Sequence, residues 1–277
     1  MQRELTMKRT FAMILALLML LSLAGCGGKE DNMLKLGLLE IESQGGHKEH
    51  EATVHADRFG VSEYVYYNNL VSAILDINSG KVDAIALEKS SASYVLARNK
   101  ALTVASFDDG GYEAAYSMMT MDTNLEVYDI LNNAIVEIRE DGTLDNLIEN
   151  ELRAFIVKDP EAKELPYFDG AKTIKIGVTG DIPPMDFVAA DGKAAGFNIA
   201  LLTEIANRAQ VNFELVQIET GSRPMALSSG KVDAVFWTRS ITCRECNEAF
   251  MENITNTLVT ESYFTEQQAL IASTSGK

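Results

Sequence analysis

The hexapeptide Ser-Gly-Lys-Val-Asp-Ala occurs twice in the chain, at Ser79–Ala84 and at Ser229–Ala234. In each copy the glycine suits the end of a helix, and the residues after it lead into an apolar run typical of a buried strand. A second apolar strand candidate precedes each copy, at Leu34–Leu39 and at Ile174–Val178, with a short helical segment between. The repeat therefore predicts two α/β lobes built on mainly parallel sheets.

The composition is that of a folded globular protein, because 47% of the residues are hydrophobic and 23% are charged. Acidic residues outnumber basic residues 40 to 24, which gives a formal charge of −16. Phosphate binding needs a surplus of lysine and arginine, so this balance argues against nucleic acid as a partner. Three cysteines are too few for a disulfide framework.

The amino-terminal segment has the pattern of an export signal. Two basic residues precede the apolar stretch Phe11–Leu23, which is short for a membrane-spanning helix. The stretch ends in Leu23–Cys26 (LAGC), which resembles a bacterial lipobox, where the cysteine is acylated after cleavage. We therefore expect a signal peptide at 1–25, a lipid anchor on Cys26 and a flexible tether over 26–33. A plain signal peptide or a membrane anchor is the alternative.

Between the two repeats the pattern is helical. Apolar residues recur at helical spacing over Asn124–Arg139, and Thr143 is expected to cap a second helix that runs to Phe155. Residues 158–172 contain two prolines and are predicted to be a linker. A further amphipathic helix is predicted at Gly196–Ala209.

Several segments resemble the extracytoplasmic solute-binding proteins of ABC importers, in the amino-acid-binding branch. Thr173–Phe187 (TIKIGVTGDIPPMDF) resembles the opening strand and the Pro-Pro ligand loop of that family. Gly196–Asn198 resembles the next helix start, with Asn198 in place of the usual aspartate. Thr238–Thr242 (TRSIT) resembles a ligand loop, and Glu261–Ile271 resembles the hinge strand that leaves the first lobe. The resemblance implies a two-lobed type 2 periplasmic-binding-protein fold with a hinge.

The order of the resembling segments is unusual. Tyr66–Leu96 resembles the second lobe of the family, and Tyr112–Leu152 resembles the return strand and closing helices. We therefore predict a second-lobe-like domain from 34–108 plus 266–277, and a first-lobe-like domain from 109–265. The closing helices lie at 124–155 within the latter.

A circular permutation and a truncated tandem pair both explain this order. The roughly 240 residues concerned suit one two-lobed protein and are too few for two, which favours the permutation. A permutant should place the strand Leu34–Leu39 beside the strand near Gln267–Ala272, in one lobe.

The resemblance implies a receptor that is not an enzyme and needs no cofactor. We expect a monomeric, lipid-anchored extracytoplasmic protein that captures a small polar ligand, an amino acid or a relative, between its lobes. Its partners would be the permease and ATPase subunits of an importer, and the membrane through Cys26. Two alternatives stay open. One is a ligand sensor or adaptor without a transport role, and the other is a small-acid lyase or dehydratase with Glu88 or Asp181 as acid or base.

Glu88 occupies the position of the family's ligand-binding aspartate and is expected to pair with an ammonium group; a solvated glutamate at a strand end is the alternative. The family holds a ligand carboxylate with Thr-x-x-Arg, but here the sequence at Thr242 continues Cys-Arg-Glu. Arg244 or Arg239 could substitute. Without the clamp, Asp181, Asp186 and Glu88 are expected to make the cleft acidic, which suits a cationic ligand.

Further contact candidates lie in the same two segments. Phe187 and Trp237 are candidates for stacking on a ligand, and each could instead be a core residue. Thr238, Ser240 and Thr242 supply hydroxyl groups at contact positions of the family, although such residues also cap turns. Asp186, next to Phe187, is either a contact or a turn residue.

Cys243 and Cys246 are expected to form a small-loop disulfide outside the cytosol. The three histidines, His47, His50 and His55, lie together in a polar segment. We expect them to be solvated, as histidines in a polar segment usually are; metal capture by His47 and His50, which would share a helix face, is the alternative. The segment is not His-Glu-x-x-His, so it does not predict a metalloprotease.

Overall fold

The computed structural model describes residues 34–39, 60–107, 112–159, 161–243, 248–251 and 255–274. The predicted signal peptide, Cys26, the tether and the three histidines lie outside these ranges, as do Arg244 and Cys246. Within them, no helix is both long and apolar enough to cross a membrane.

The described residues form strands, helices and short helical turns. The strands are β1 (Leu34–Leu39), β2 (Val61–Tyr67), β3 (Ala84–Glu88), β4 (Leu102–Phe107), β5 (Tyr112–Met121), β6 (Thr173–Val178), β7 (Asp181–Ile182), β8 (Asp186–Val188), β9 (Ala194–Ala195), β10 (Asn212–Gln217), β11 (Ala234–Cys243), β12 (Glu248–Met251), β13 (Thr257–Val259), β14 (Phe264–Glu266) and β15 (Gln268–Ser273). The α-helices are α1 (Leu70–Ser79), α2 (Lys89–Arg98), α3 (Leu125–Glu140), α4 (Thr143–Leu147), α5 (Phe197–Ala209) and α6 (Arg223–Ser228).

Two main sheets carry the fold, which confirms the α/β prediction. The first has five strands in the order β2-β1-β3-β15-β4, and the second has seven, with the path β10-β6-β11-β5-β13. In each sheet three parallel strands are followed by an antiparallel one. Antiparallel strand pairs are therefore more frequent than the two repeats predict. We call the two halves built on these sheets the β1 lobe and the β6 lobe.

Separate apolar cores stabilise the two lobes. Ile77, Ile85 and Leu87 belong to a cluster on the face of the five-stranded sheet that α1 and α2 cover. Leu131 of α3 and Leu202 of α5 belong to a larger cluster against the seven-stranded sheet. All five side chains are 1% exposed or less, so each lobe removes its own apolar surface from water.

The two copies of the hexapeptide make the same backbone contacts. In the first, the Lys35 N–H donates to Asp83 Oδ2 and the Asp83 N–H donates to the Lys35 carbonyl, both at 2.8 Å. In the second, Lys175 and Asp233 make the same pair of bonds, again at 2.8 Å. The aspartate therefore ties the start of one strand to the start of its parallel neighbour and fixes their register.

Close packing accompanies this register. A Cβ atom at Gly37 would lie 2.7 Å from Ile85 Cγ2, and one at Gly177 would lie 2.7 Å from Ile218 Cδ1. Real Cβ atoms essentially never approach so closely, so Gly37 of β1 and Gly177 of β6 can be replaced only if the neighbouring side chain shifts.

A hinge joins the lobes at two strands. β14 pairs antiparallel with β5, with Phe264 opposite Tyr116 and Glu266 opposite Ala114. One residue after β14 the chain enters β15 of the other lobe. The strand predicted from Glu261–Ile271 therefore consists of β14 in the β6 lobe and β15 in the β1 lobe.

The helical segment at 124–155 differs in detail from the prediction. α3 is present as expected, but the second helix begins as the short α4, passes into a π-helical turn at Ile148–Leu152 and ends in a 3-10 turn at Arg153–Ile156. The prediction that Thr143 caps this helix was wrong. Thr143 is the first helical residue, and its N–H donates to Asp141 Oδ1 at 3.0 Å.

The strands that would adjoin a permutation point lie in one sheet. The prediction that β1 lies directly beside β15 was wrong, because β3 runs between them. Ala84 of β3 pairs with Leu36 of β1 on one side and with Ala272 of β15 on the other. The beginning of β1 and the end of β15 are therefore two strand spacings apart, roughly 10 Å.

We predict that Asp83→Ala and Asp233→Ala each lower the free energy of unfolding by about 1 kcal/mol, because each leaves a strand N–H without its carboxylate acceptor. Urea denaturation measures this loss. Asp191→Ala is the matched control, since Asp191 Oδ1 accepts only from Lys193 N–H within a turn. Equal losses for all three variants would contradict a special role of the repeat.

Candidate functional site

A polar cavity of about 390 Å³ lies where strands of both lobes end. Such carboxyl ends of parallel strands are where open α/β sheets bind ligands. Asn68 and Asn69 follow β2 of the β1 lobe, and residues after β6 and β10 of the other lobe form the opposite wall. Its polar lining residues are Asn68, Asn69, Thr179, Asp181, Gln217, Glu219 and Thr220. Of the described residues that line it, none is a lysine or arginine.

A second cavity, of about 420 Å³, adjoins the first and shares Asp181 with it. The wall in the β1 lobe comes from α1 and α2, and the wall in the β6 lobe comes from residues 180–187. Most of its lining is apolar, with the side chains of Leu70, Val71, Ile74, Tyr94, Pro183 and Phe187. Both cavities are within the usual size range of small-molecule sites.

Asp181 is the charged group common to both cavities. It is half-buried on β7, and its Oδ1 atom is buried with no hydrogen-bond partner among the described residues. Burial raises the pKa of this carboxyl to about 6; the nearby charge of Asp186 also raises it, and hydrogen bonding from Thr179 lowers it. A carboxylate in this position is stabilised by a cation.

Asp186 has a structural role. Its side chain is 1% exposed, and its Oδ2 accepts hydrogen bonds from the Thr179 N–H at 2.8 Å and from Thr179 Oγ1 at 3.1 Å. These bonds tie β8 to the end of β6. The geometry agrees with the turn alternative for Asp186, and the carboxylate influences the cavity through its charge on Asp181.

Phe187 lies at the rim of the apolar cavity rather than in the core. Its side chain is half-buried, and its ring centroid is 6.4 Å from that of Tyr94 in the β1 lobe. The two rings, one from each lobe, are at an interplanar angle of 55°. Through this contact the wall of the apolar cavity is continuous between the two lobes.

Glu88 lies at the hinge and does not line either of these cavities. It is 2% exposed, and Tyr116 Oη of the hinge strand β5 donates to its Oε1 at 2.5 Å. The structure therefore excludes a solvated glutamate. Glu266 lies nearby, where burial raises the pKa of its carboxyl to about 7 although Ser90 Oγ donates to it at 2.6 Å.

The segment Thr238–Thr242, expected to be a ligand loop, is the second half of the long strand β11. It pairs antiparallel with both β5 and β12. Trp237, Arg239, Ser240, Thr242 and Cys243 are described here only by their backbone, which shows a register shift between Val235 and Thr238. Thr238 is 1% exposed, and its Oγ1 has no partner among the described residues.

A buried arginine, Arg223, holds the backbone at this register shift. The sequence did not indicate this role. Arg223 at the start of α6 is 2% exposed. Its Nε donates to the Thr220 carbonyl at 3.1 Å and its Nη1 donates to the Phe236 carbonyl at 3.0 Å. An arginine beside proline at a helix start carries no motif, so only the fold reveals that it fixes the strand next to Trp237.

Polar contacts also join the lobes at the far side of the apolar cavity. Tyr94 Oη donates to Asp159 Oδ1 at 2.8 Å, and Arg98 Nε donates to the same oxygen at 3.0 Å. Arg98 Nη1 donates to the carbonyls of Tyr94 and Ile156 at 3.1 and 2.7 Å. The guanidinium of Arg98 therefore already donates hydrogen bonds to other groups of the protein.

The described residues contain no group of three or more metal-ligating side chains. The sequence predictions for Arg244, for a disulfide between Cys243 and Cys246, and for lipidation at Cys26 fall on residues or side chains outside the described part of the chain. They stay predictions.

This arrangement can bind a small solute and orient it by charge. Two adjoining cavities, one polar and one apolar, share Asp181, whose Oδ1 is buried without a partner among the described residues. The two lobes supply opposite walls, so a change in hinge angle would open or close both cavities together.

The family model of bacterial extracellular solute-binding proteins, family 3, matches residues 174–275. This segment contains β6 to β15, and the match confirms the resemblance read from its sequence. The matched family consists of binding proteins rather than enzymes, as expected. No match was found among curated proteins.

Solved structures give more distant likenesses. An ABC transporter periplasmic binding protein from Brucella ovis with glutathione bound has 14% identity and a TM-score of 0.45, over 89% of this chain and 64% of that one. A probable amino-acid ABC transporter extracellular-binding protein from Bacillus subtilis has 10% identity and a TM-score of 0.41, over 87% and 84%. The aliphatic sulphonate-binding protein from Escherichia coli has 10% identity and a TM-score of 0.40, over 87% and 61%.

We predict that Asp181→Asn makes stability less dependent on pH. Because the folded-state pKa is raised to about 6, the stabilising contribution of Asp181 is complete below about pH 4 and is lost as the pH rises through 6. Above pH 6 the variant should exceed the wild type by on the order of 1 kcal/mol, since water partly screens the group.

Chemical denaturation between pH 3.5 and 8 measures this effect. Asp141→Asn is the control of opposite sign, because the side-chain and backbone hydrogen bonds of Thr143 and the bond from Arg208 lower the pKa of Asp141 to about 2. That variant should lose stability above about pH 4. The same pH profile for wild type and Asp181→Asn would show that Asp181 is not perturbed.

Proposed function

We propose that the whole chain, and not only residues 174–275, is an extracytoplasmic solute-binding protein that captures a small polar ligand between its two lobes. The observation that carries the proposal is the polar cavity at the carboxyl ends of strands from both lobes, with Asp181 in its wall. The match of residues 174–275 to a solute-binding family supports it.

We assign ligand capture mainly to residues that line the two cavities. Asp181 and Phe187 come from the sequence predictions, and Asn68, Asn69 and Glu219 join them. Trp237 lies within the register shift of β11 and Thr238 directly after it, at the same edge of the seven-stranded sheet as Asp181. Glu88 acts at the hinge end of the cleft, through its hydrogen bond with Tyr116.

We further propose that acylation of Cys26 holds the protein at the outer face of the cell membrane, where it delivers its ligand to the permease and ATPase of an ABC importer. The LAGC motif and the apolar segment before it support the anchor. A body with a charge of −16 has no electrostatic affinity for an anionic membrane, so a lipid would have to hold it there.

A circular permutation is our proposal for the segment order, with one lobe formed from 34–108 plus 266–277 and the other from 109–265. The equivalent strand orders β2-β1-β3-β15 and β10-β6-β11-β5 support one lobe of each kind. The closeness of the start of β1 and the end of β15, on either side of Ala84, supports joining them by a short loop.

We predict that a small polar solute raises the melting temperature of the full-length chain and changes its fluorescence. Ligand that binds only the native state must stabilise it, by about 2.7 kcal/mol at a hundredfold excess over the dissociation constant. Trp237 is the single tryptophan, so its emission should respond if it lines the site. The measurement is a thermal-shift screen of amino acids, amines, sugars and small carboxylates, with fluorescence titration of each hit.

Trp237→Phe should keep the thermal shift and lose the tryptophan signal. The absence of a stabilising compound at millimolar concentration from every class would contradict solute binding. Conversion of a bound compound into a product would contradict a pure binding role.

The permutation predicts that a re-ordered chain folds. Residues 173–277 followed by a short Gly/Ser linker and then residues 34–172 should give the same helix content and a cooperative unfolding transition like that of the native order. Circular dichroism with urea denaturation measures both. A re-ordered chain that stays unfolded, beside a native-order chain that folds, would contradict the permutation.

A further inference from the structure

We infer that the ligand is an organic amine with an apolar aliphatic or aromatic body and no carboxylate, its ammonium group paired with Asp181 and its body in the neighbouring apolar cavity. This inference rests on the proposed function and specifies the class of solute that the site takes.

The position of Asp181 determines where the charge of the ligand lies. It is the one acidic side chain that lines both cavities among the described residues, and its Oδ1 is buried without a partner. An ammonium group that enters from the polar cavity can pair with the Asp181 carboxylate through a charge-assisted hydrogen bond. Asn68 and Glu219 in the same cavity add further acceptors for its remaining protons.

The apolar cavity determines the body of the ligand. Val71 and Ile74 of α1, Tyr94 of α2, and Pro183 and Phe187 of the β6 lobe leave about 420 Å³ beside Asp181. Val71 is 63% exposed, so an apolar occupant would remove from water a surface that the protein itself leaves uncovered. The Tyr94 and Phe187 rings suit either an aliphatic chain or an aromatic ring.

The charges of the two cavities argue against a carboxylate on the ligand. The polar cavity has Asp181 and Glu219 and, among its described lining residues, no cation. The apolar cavity has one cation, Arg98, whose guanidinium pairs with Asp159 at 2.9 Å and donates to two backbone carbonyls. With these donors engaged, Arg98 cannot act as a bidentate clamp without breaking its contacts across the lobes.

Titration calorimetry of the full-length chain at pH 8 tests the inference with 2-phenylethylamine as the probe. Phenylalanine adds a carboxylate to this probe, and 2-phenylethanol replaces its ammonium group with a hydroxyl. We expect the amine to bind at least about tenfold more tightly than either compound, since a charge-assisted hydrogen bond is worth about 1.5–3 kcal/mol.

Two variants locate the bound amine. Asp181→Asn should weaken its binding about tenfold or more through loss of the charge. Val71→Asn should weaken it about three- to tenfold, because part of the apolar wall becomes polar. Leu75→Asn is the matched control on the same helix; Leu75 is also 63% exposed but does not line the cavity. It should leave binding unchanged.

The outcomes separate this inference from the proposed function. Equal affinity for phenylalanine or for the alcohol would overturn the amine class while solute binding stands. Binding of the amine that neither Asp181→Asn nor Val71→Asn weakens would overturn the site. Failure of the amine, with another class of solute stabilising the chain, would overturn the inference alone, whereas failure of every solute would overturn the proposed function as well.

Discussion

The fold depends on one interaction that is made twice, the pair of hydrogen bonds between an aspartate and the backbone of a lysine in the next strand. Asp83 binds Lys35 and Asp233 binds Lys175, with 2.8 Å for all four bonds. A one-residue slip of a strand would turn its buried side chains to the other face. The aspartate opposes such a slip at the point where each parallel pair begins. The positions of the cavity residues, at the carboxyl ends of these strands, therefore depend on the contacts at the amino ends.

Asp181 lies at the opposite edge of the sheet, where its buried carboxyl destabilises the fold instead of fixing the strands. Its carboxyl is partly buried and lies near a second carboxylate, that of Asp186. The Asp186 carboxylate accepts a hydrogen bond from Thr179. Burial of a charge without a partner destabilises the folded protein. The chain tolerates this cost at a place where both lobes converge, and strongly perturbed carboxyl groups in clefts are typical of functional sites.

Sequence patterns predicted the parts of the fold that depend on local order. The repeat predicted two lobes, and helical spacing predicted α3 and α5, because burial of one face imposes a period on the chain. The end of β11 could not be predicted in this way. Its continuation to Cys243 depends on pairing with β5, more than a hundred residues earlier in the chain. Thr143 is a suitable capping residue by its type, but the backbone geometry makes Gly142 the N-cap and Thr143 the first helical residue.

The candidate site was predictable only where a motif marked it. Asp181 and Phe187 lie in a segment with a recognisable pattern, and both line cavities. Asn68, Glu219 and Arg223 have no motif, since an amide, a carboxylate or an arginine near a helix start is common in any protein. Asn68 and Glu219 reach the cavity through the convergence of β2, β6 and β10, which is a property of the assembled sheets.

Closure of the cleft links these features. Both cavities have walls from each lobe, so an occupant makes its full set of contacts only when the lobes are together, and its binding energy then favours the closed form. Glu88 and Tyr116 lie on the hinge itself, where their buried hydrogen bond joins the end of β3 to a strand of the other lobe. Glu88 and Asp181 therefore lie at the two places that a change in hinge angle would alter, the hinge and the cavity wall.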